Sequence, residues 1–117
     1  MKESDIVTLH IALNHETRDF ITDNELKLMK PSAILINTAR GPVVNEQALA
    51  DALKSGLIAG AATDVYGTEP PLKQDHPLFD APNLVMLPHI GFATEEAFVL
   101  RLGIVVKNIE DRSQKTE

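Results

Sequence analysis

Cysteine is absent from the 117 residues, which excludes disulfides, thiol nucleophiles and zinc sites built on thiolates, and fits a reducing compartment. Long apolar runs are absent too: none approaches the roughly 20 residues that a helix needs to cross a bilayer. Basic residues are scarce. Eleven Lys and Arg stand against 17 Asp and Glu, and the resulting net charge of −6 argues against a face for phosphate backbones or anionic lipid. Behind Met1-Lys2-Glu3-Ser4-Asp5 there is no apolar segment of the kind a signal peptide carries. The expectation from these absences is a cytoplasmic domain with neither nucleic acid nor membrane as partner.

Hydrophobic residues make up 44% of the chain, enough for one small packed core. Four short apolar runs stand out, at 5–9, 33–37, 58–64 and 83–87. None alternates cleanly between apolar and polar, which suits strands of a parallel sheet buried on both faces. Helical patterns lie between them. Thr22 or Asp23 caps a short helix through Met29 that Lys30-Pro31 stops. Asn45 caps a second, over 46–55, with Leu49 and Leu53 on one face and Gly56 in the left-handed C-terminal position. A third starts at Thr94, with Glu95 and Glu96 in its first turn, and runs to about Ile109. Residues 1–110 are read as one unit and 111–117 as a polar tail. Gly67, Pro70, Pro71, Pro77 and Pro82 make 66–82 a long, stiffened loop. The order β-α-β-α-β-loop-β-α predicts an α/β domain with four parallel strands and flanking helices.

Ligands of open parallel sheets bind beyond the carboxyl ends of the strands. Arg40 follows the run at 33–37, Asp64 and then Glu69 follow the run at 58–64, and His89 follows the run at 83–87. An arginine fork can hold a carboxylate through two parallel bonds. A histidine can give or take a proton near neutral pH, and a neighbouring glutamate favours its charged form. Carboxylate anchor plus proton relay suits a 2-hydroxy or 2-keto acid, with a cofactor to carry the electron pair, since no side chain accepts hydride. Each residue has a plainer reading beside this one. Arg40 can be a surface charge on the Gly41-Pro42 turn, Glu69 a solvated loop acid, His89 a backbone cap and Asp64 a turn residue. His10, His15 and His76 are read as structural or exposed, and His10 with His15 has no convincing metal spacing; no metal is expected.

At these residues the chain resembles the D-isomer-specific 2-hydroxyacid dehydrogenases. The matching segments are Ser4-Asp-Ile-Val-Thr-Leu-His10, Leu28-Met-Lys-Pro31, Ala33-Ile-Leu-Ile-Asn-Thr-Ala-Arg-Gly41, Ala61-Ala-Thr-Asp-Val65, Glu69-Pro70, His76-Pro-Leu78 and Pro82-Asn-Leu-Val-Met-Leu-Pro-His-Ile-Gly91. They follow in family order from residue 3 to about 110. The resemblance implies a partial Rossmann-like, three-layer domain that binds NAD, with NADP left open, and a small 2-hydroxy or 2-keto acid. It implies that Arg40 binds the substrate carboxylate, that His89 is the acid/base and that Glu69 is its partner. Thr38, Ala39, Arg40, Asp64, His89 and Gly91 would border the nicotinamide, and His10 the adenosine side.

One family feature is missing. The glycines stand at 41, 56, 60, 67, 91 and 103, so there is no Gly-x-Gly-x-x-Gly turn to admit a pyrophosphate at a helix N-terminus. The resemblance implies that Met1 lies near the start of the family's fourth NAD-domain strand, and no segment resembling the substrate domain is expected among these residues. Two functions follow as alternatives: part of a dehydrogenase, inactive alone, or a non-catalytic relic that serves as a binding or oligomerisation module. In either case the strand at 5–9, made for a sheet interior, is expected to be an open edge that pairs with a second copy to give a homo-oligomer.

Overall fold

The computed structural model describes residues 1–68 and 71–113. Four parallel strands, β1 (Ile6–Leu9), β2 (Ile34–Asn37), β3 (Gly60–Thr63) and β4 (Leu84–Met86), form one sheet in the order β1-β2-β3-β4. Each lies inside one of the four apolar runs. β1 and β4 are the edges, and β1 meets no strand on its outer side.

Three helices accompany the sheet: α1 (Asp23–Leu26), α2 (Glu46–Lys54) and α3 (Glu95–Ser113). Thr22 caps α1 in a capping box: its hydroxyl accepts from the Asn24 N–H, while the Glu25 carboxylate accepts from the Thr22 N–H at 2.9 Å. The helix is shorter than the pattern at 22–29 because the chain tightens at once. The N–H of Leu28 donates to the Glu25 carbonyl and that of Met29 to the Leu26 carbonyl, both three residues back. α2 follows its sequence signals closely. The Asn45 side chain accepts from the Ala48 N–H, and Gly56 sits at φ +69°. There the N–H groups of Gly56 and Leu57 donate back to Leu53 and Ala52, closing the helix with a glycine that alone takes that φ without strain.

Side chains alternate across a strand, and the two faces of this sheet have different fates. Leu9, Leu35 and Ala61 point to the side where Leu26, Met29, Leu49 and Leu53 of the α1 and α2 region complete the core, and Leu35 is fully buried. Their neighbours Ile6, Ile34 and Val85 point the other way and are 60%, 40% and 59% exposed. The apolar runs predict burial on both sides, but the chain's own helices cover only one. α3 buries none of its residues. Phe98, Leu102, Val105 and Ile109 on one stripe, and Val99, Leu100, Ile104 and Val106 around it, are all exposed. A helix apolar on nearly every side is built to be surrounded. It also continues past the expected end near Ile109 to Ser113.

The proline-rich loop is tied down at its described ends. Tyr66 is buried and its hydroxyl donates to the Leu87 carbonyl at 2.7 Å. Glu46, in the first turn of α2, accepts from the Gly67 N–H through Oε1 at 2.8 Å and meets His76 Nε2 through Oε2 at 3.2 Å. His76 Nδ1 accepts from the Leu78 N–H at the start of a 3-10 turn, Pro77–Asp80, so Nε2 carries the proton that Glu46 receives. His76 is thus structural.

Candidate active site

The chain reverses direction sharply beyond the carboxyl ends of β2, β3 and β4, and each reversal has its own fastener. After β2, the buried Asn37 takes both sides of the turn. Its Oδ1 accepts from the Ala39 N–H at 3.1 Å and its Nδ2 donates to the Arg40 carbonyl at 3.0 Å. Arg40 Nη1 donates to the Ala39 carbonyl at 2.6 Å, and a guanidinium has four further N–H groups. Gly41 follows because nothing larger fits: a Cβ there would lie 1.8 Å from the Tyr66 carbonyl carbon and 2.4 Å from its Cα. This backbone contact sets the turn after β2 against the chain that leaves β3.

Asp64, at the end of β3, is buried, and both its oxygens reach the turn after β4. Oδ1 accepts from the Ile90 N–H at 2.8 Å and Oδ2 from the Gly91 N–H at 2.6 Å. The pair fastens the two residues directly after His89, whose φ of +58° lies in the left-handed region, a strained conformation for a side-chain-bearing residue that must be held from outside. Gly91 admits the clamp, since a Cβ would stand 2.9 Å from Asp64 Oδ2. Asp64 therefore does the work of a turn fastener, the plainer of its two sequence readings, at the rim of the site.

Two clefts open over these turns. One, of about 420 Å³, is lined by Thr38, Arg40, Asp64, His89, Gly91, Phe92 and Arg101. The other, of about 630 Å³, is lined by His10, Ile11, Ala12, Leu13, Thr38, Ala39 and Arg40. Thr38 and Arg40 belong to both, so the clefts join into a trough along the carboxyl edge of the sheet. The structure thus brings Thr38, Ala39, Arg40, Asp64, His89, Gly91 and His10 onto one trough. Glu69 lies outside the described residues. His10 is exposed, with its Nε2 2.9 Å from Thr8 Oγ1. His15 is exposed beside Glu16, away from the trough.

Sequence reasoning missed Asn37, Phe92 and Arg101. Asn37 had a usable signal, because an asparagine ending a strand commonly bonds the backbone of the turn it starts. Phe92 and Arg101 had none. Phe92 stands edge-on to the His89 ring, with 6.3 Å between centroids, and the Arg101 guanidinium lies 4.8 Å above the Phe92 ring.

The donor set fits the nicotinamide end of a dinucleotide. Ile11, Ala12, Leu13 and Ala39 line one cleft together with the polar Thr38 and Arg40, a mixed lining suited to a flat ring that carries a polar group. A glycine-rich pyrophosphate turn is not among these residues. Among the described residues there is no group of three His, Asp or Glu that could hold a metal ion, and no helix long and apolar enough to cross a membrane.

Comparison with known proteins agrees with this geometry. Residues 1–91 match the family described as D-isomer specific 2-hydroxyacid dehydrogenase, NAD binding domain. The glyoxylate reductase of Thermococcus litoralis is 51% identical over 109 residues, which are 93% of this chain and 32% of that protein. The crystal structure of a D-isomer specific 2-hydroxyacid dehydrogenase from Lactobacillus delbrueckii ssp. bulgaricus, in its NAD-complexed form, superposes with a TM-score of 0.84 at 36% identity, covering 97% of this chain and 38% of that one. An acyclic imino acid reductase in complex with NADPH and D-Arg also gives a TM-score of 0.84, at 37% identity, covering 98% of this chain and 36% of its own. The chain spans about a third of the length of the relatives it matches. With its parallel sheet, its site at the carboxyl edge and these likenesses, the chain belongs to the D-isomer-specific 2-hydroxyacid dehydrogenases, as a part of their NAD-binding domain.

Proposed function

We propose that this chain supplies the substrate-anchoring and proton-transfer groups of an NAD(P)-dependent oxidoreductase acting on the CH–OH group of a D-2-hydroxy acid, and that the 117 residues by themselves are inactive. The observation that carries this reading is the convergence of Arg40 and His89 on one cleft, with Asp64 holding the histidine's turn in place.

Arg40 holds the carboxylate of a 2-keto acid through its further N–H groups, which fixes the adjacent carbonyl toward His89. His89, as imidazolium, gives its proton to the carbonyl oxygen during reduction and takes it back from the hydroxyl during oxidation. Glu69 is the partner that favours the imidazolium. Thr38, Ala39 and their neighbours along the cleft would hold a dinucleotide, whose chemistry when bound would be hydride transfer. Asp64 keeps His89 in its left-handed conformation, so its influence on the reaction passes through that histidine as well as through any contact of its own. The substrate carries a carboxylate next to the reacting carbon. This agrees with the glyoxylate named for the Thermococcus litoralis relative and with the D-Arg bound to the imino acid reductase.

The test is a graft. This chain replaces its matching 109 residues in the Thermococcus litoralis glyoxylate reductase, and oxidation of NADH and NADPH is followed with glyoxylate, pyruvate and hydroxypyruvate. The graft is expected to turn over and the isolated chain is not. His89→Ala should lower kcat by about 10²-fold or more. Arg40→Ala should chiefly weaken substrate binding, by about 1.5–3 kcal/mol. Unchanged kinetic constants in Arg40→Ala would remove the anchor role.

A further inference from the structure

The cleft contains a second arginine that the reading above does not use. Arg101, from the second turn of α3, lines the same 420 Å³ space as Arg40 and His89. Its guanidinium carbon lies over the Phe92 ring, 4.8 Å from the centroid, and the Phe92 ring also meets the rings of His89 and Phe98 edge-on, at 6.3 and 6.2 Å. A cation stacked on a ring keeps its N–H edge directed outward for an in-plane acceptor.

Among the described residues no carboxylate lies within ion-pair distance of Arg101. Asp64 shares the cleft, but its two oxygens are engaged by the Ile90 and Gly91 N–H groups. In a chain whose acids outnumber its bases 17 to 11, two arginines on one cleft stand out. One carboxylate satisfies Arg40. The second arginine lines the same cleft and stacks on Phe92, whose ring also meets that of His89.

We propose that Arg101 is a specificity residue for the end of the substrate remote from the reacting carbon, selecting 2-keto acids that carry a second anionic group, a carboxylate or a phosphate. The inference rests on the proposed function. The 2-keto acid end is bound by Arg40 and faces His89, and the remote anion forms planar bonds with the Arg101 fork. Phe92 provides the apolar partition over which the carbon chain between the two anions passes.

The test is a titration of the ¹⁵N-labelled 117-residue chain, read at the arginine Nε–H resonances, with four acids: pyruvate and 2-ketobutyrate with one anion, 2-ketoglutarate and phosphohydroxypyruvate with two. The dianions are expected to bind about five- to tenfold more tightly than the monoanions and to shift both Arg40 and Arg101. Arg101→Met, an exposed position whose change spares the core, should abolish that preference while leaving monoanion binding unchanged. Arg101→Lys, which retains the charge, should keep at least half of it. Arg40→Ala should weaken all four acids alike. A preference that survives Arg101→Met, or a lysine variant that behaves like the methionine one, overturns the assignment of Arg101 alone. Failure of every acid to shift Arg40 or His89 overturns the anchor reading and this inference with it. A preference for only one of the two dianions supports the proposal and identifies whether carboxylate or phosphate is the group read.

Discussion

The two faces of the sheet carry nearly the same amino acids and lead opposite lives. Leu9, Leu35 and Ala61 are buried under α1 and α2, whereas Ile6, Ile34 and Val85, on the opposite face of the same sheet, are 60%, 40% and 59% exposed. The first face is closed by short-range devices written in the chain: the capping box at Thr22, the Asn45 cap and the Gly56 terminator. The second face has no such cover, and neither does α3, whose apolar residues 98–106 are all but surrounded by nothing. Composition alone does not decide burial. What decides it is whether a covering element is connected closely enough to reach the face. Relatives three times as long have further chain with which to do so.

The largest expected contrast is between adjacent residues of β2. Leu35→Ala should cost about 2–5 kcal/mol in chemical denaturation, because it removes buried atoms and leaves a void among the core residues. Ile34→Ala should cost less than about 1 kcal/mol and reduce binding of an apolar dye, since the side chain faces outward. Equal costs at the two positions would mean that the second face is also covered in solution.

Gly41→Ala sharpens the comparison from within the closed side. A methyl group would be driven into the Tyr66 backbone, so a loss of about 1–3 kcal/mol or more is expected. Because the turn bears Arg40, the same change should displace the Arg40 Nε–H resonance. A stable variant with that resonance unmoved would show that the turn after β2 is not set by this contact.

The open side should bring copies together, at the bare face, at α3 or at the β1 edge. Light scattering at high micromolar concentration is expected to give at least a dimer. The edge is tested separately. The Asp5 carbonyl accepts from the Ile34 N–H, so by alternation the backbone of Ile6 faces away from β2. Ile6→Pro should therefore remove an outward donor while leaving the β1–β2 ladder intact. An assembly unaffected by Ile6→Pro assigns association to the apolar faces, and a monomer at that concentration refutes association altogether.

The smallest effect lies at α1. A hydrogen bond from the Thr22 hydroxyl, then one from its backbone N–H, holds the Glu25 carboxyl below its ordinary value of 4.5; a hydrogen bond and the charge of Lys27 do the same for Asp23, ordinarily 3.8. A carboxylate whose folded pKa is depressed stabilises the fold above its unfolded pKa and loses that contribution as pH falls through the lower, folded value. The stability difference between the protein and Glu25→Gln should therefore be constant above about pH 4.5 and shrink below it. Thr22→Ala should cost about 1 kcal/mol at neutral pH. A pH-independent difference would detach the capping box from the charge of Glu25.

Much of the molecule was legible from local pattern. Four apolar runs became four parallel strands because a short run bounded by turn residues has few other ways to be buried. The caps at Thr22, Asn45 and Gly56 were readable because each acts on N–H or C=O groups within four residues of itself. Once the strands were parallel, Arg40, Asp64 and His89 had to lie at one edge, since each follows the same end of its strand. The exact role of each was not readable in that way. The bonds from Asp64 to the turn around His89, from Glu46 to Gly67 and His76, and the press of Gly41 on Tyr66 join residues more than twenty apart. Nothing in the intervening sequence encodes such a meeting; it exists only after the strands have fixed the positions of their ends. The approach of Arg101 to Phe92 is likewise a matter of the angle at which α3 leaves the sheet. Local hydrogen bonding determined the elements and their order, while the choice of buried face and the partners of Asp64 and Arg101 waited on the long-range packing that sets where those elements stop.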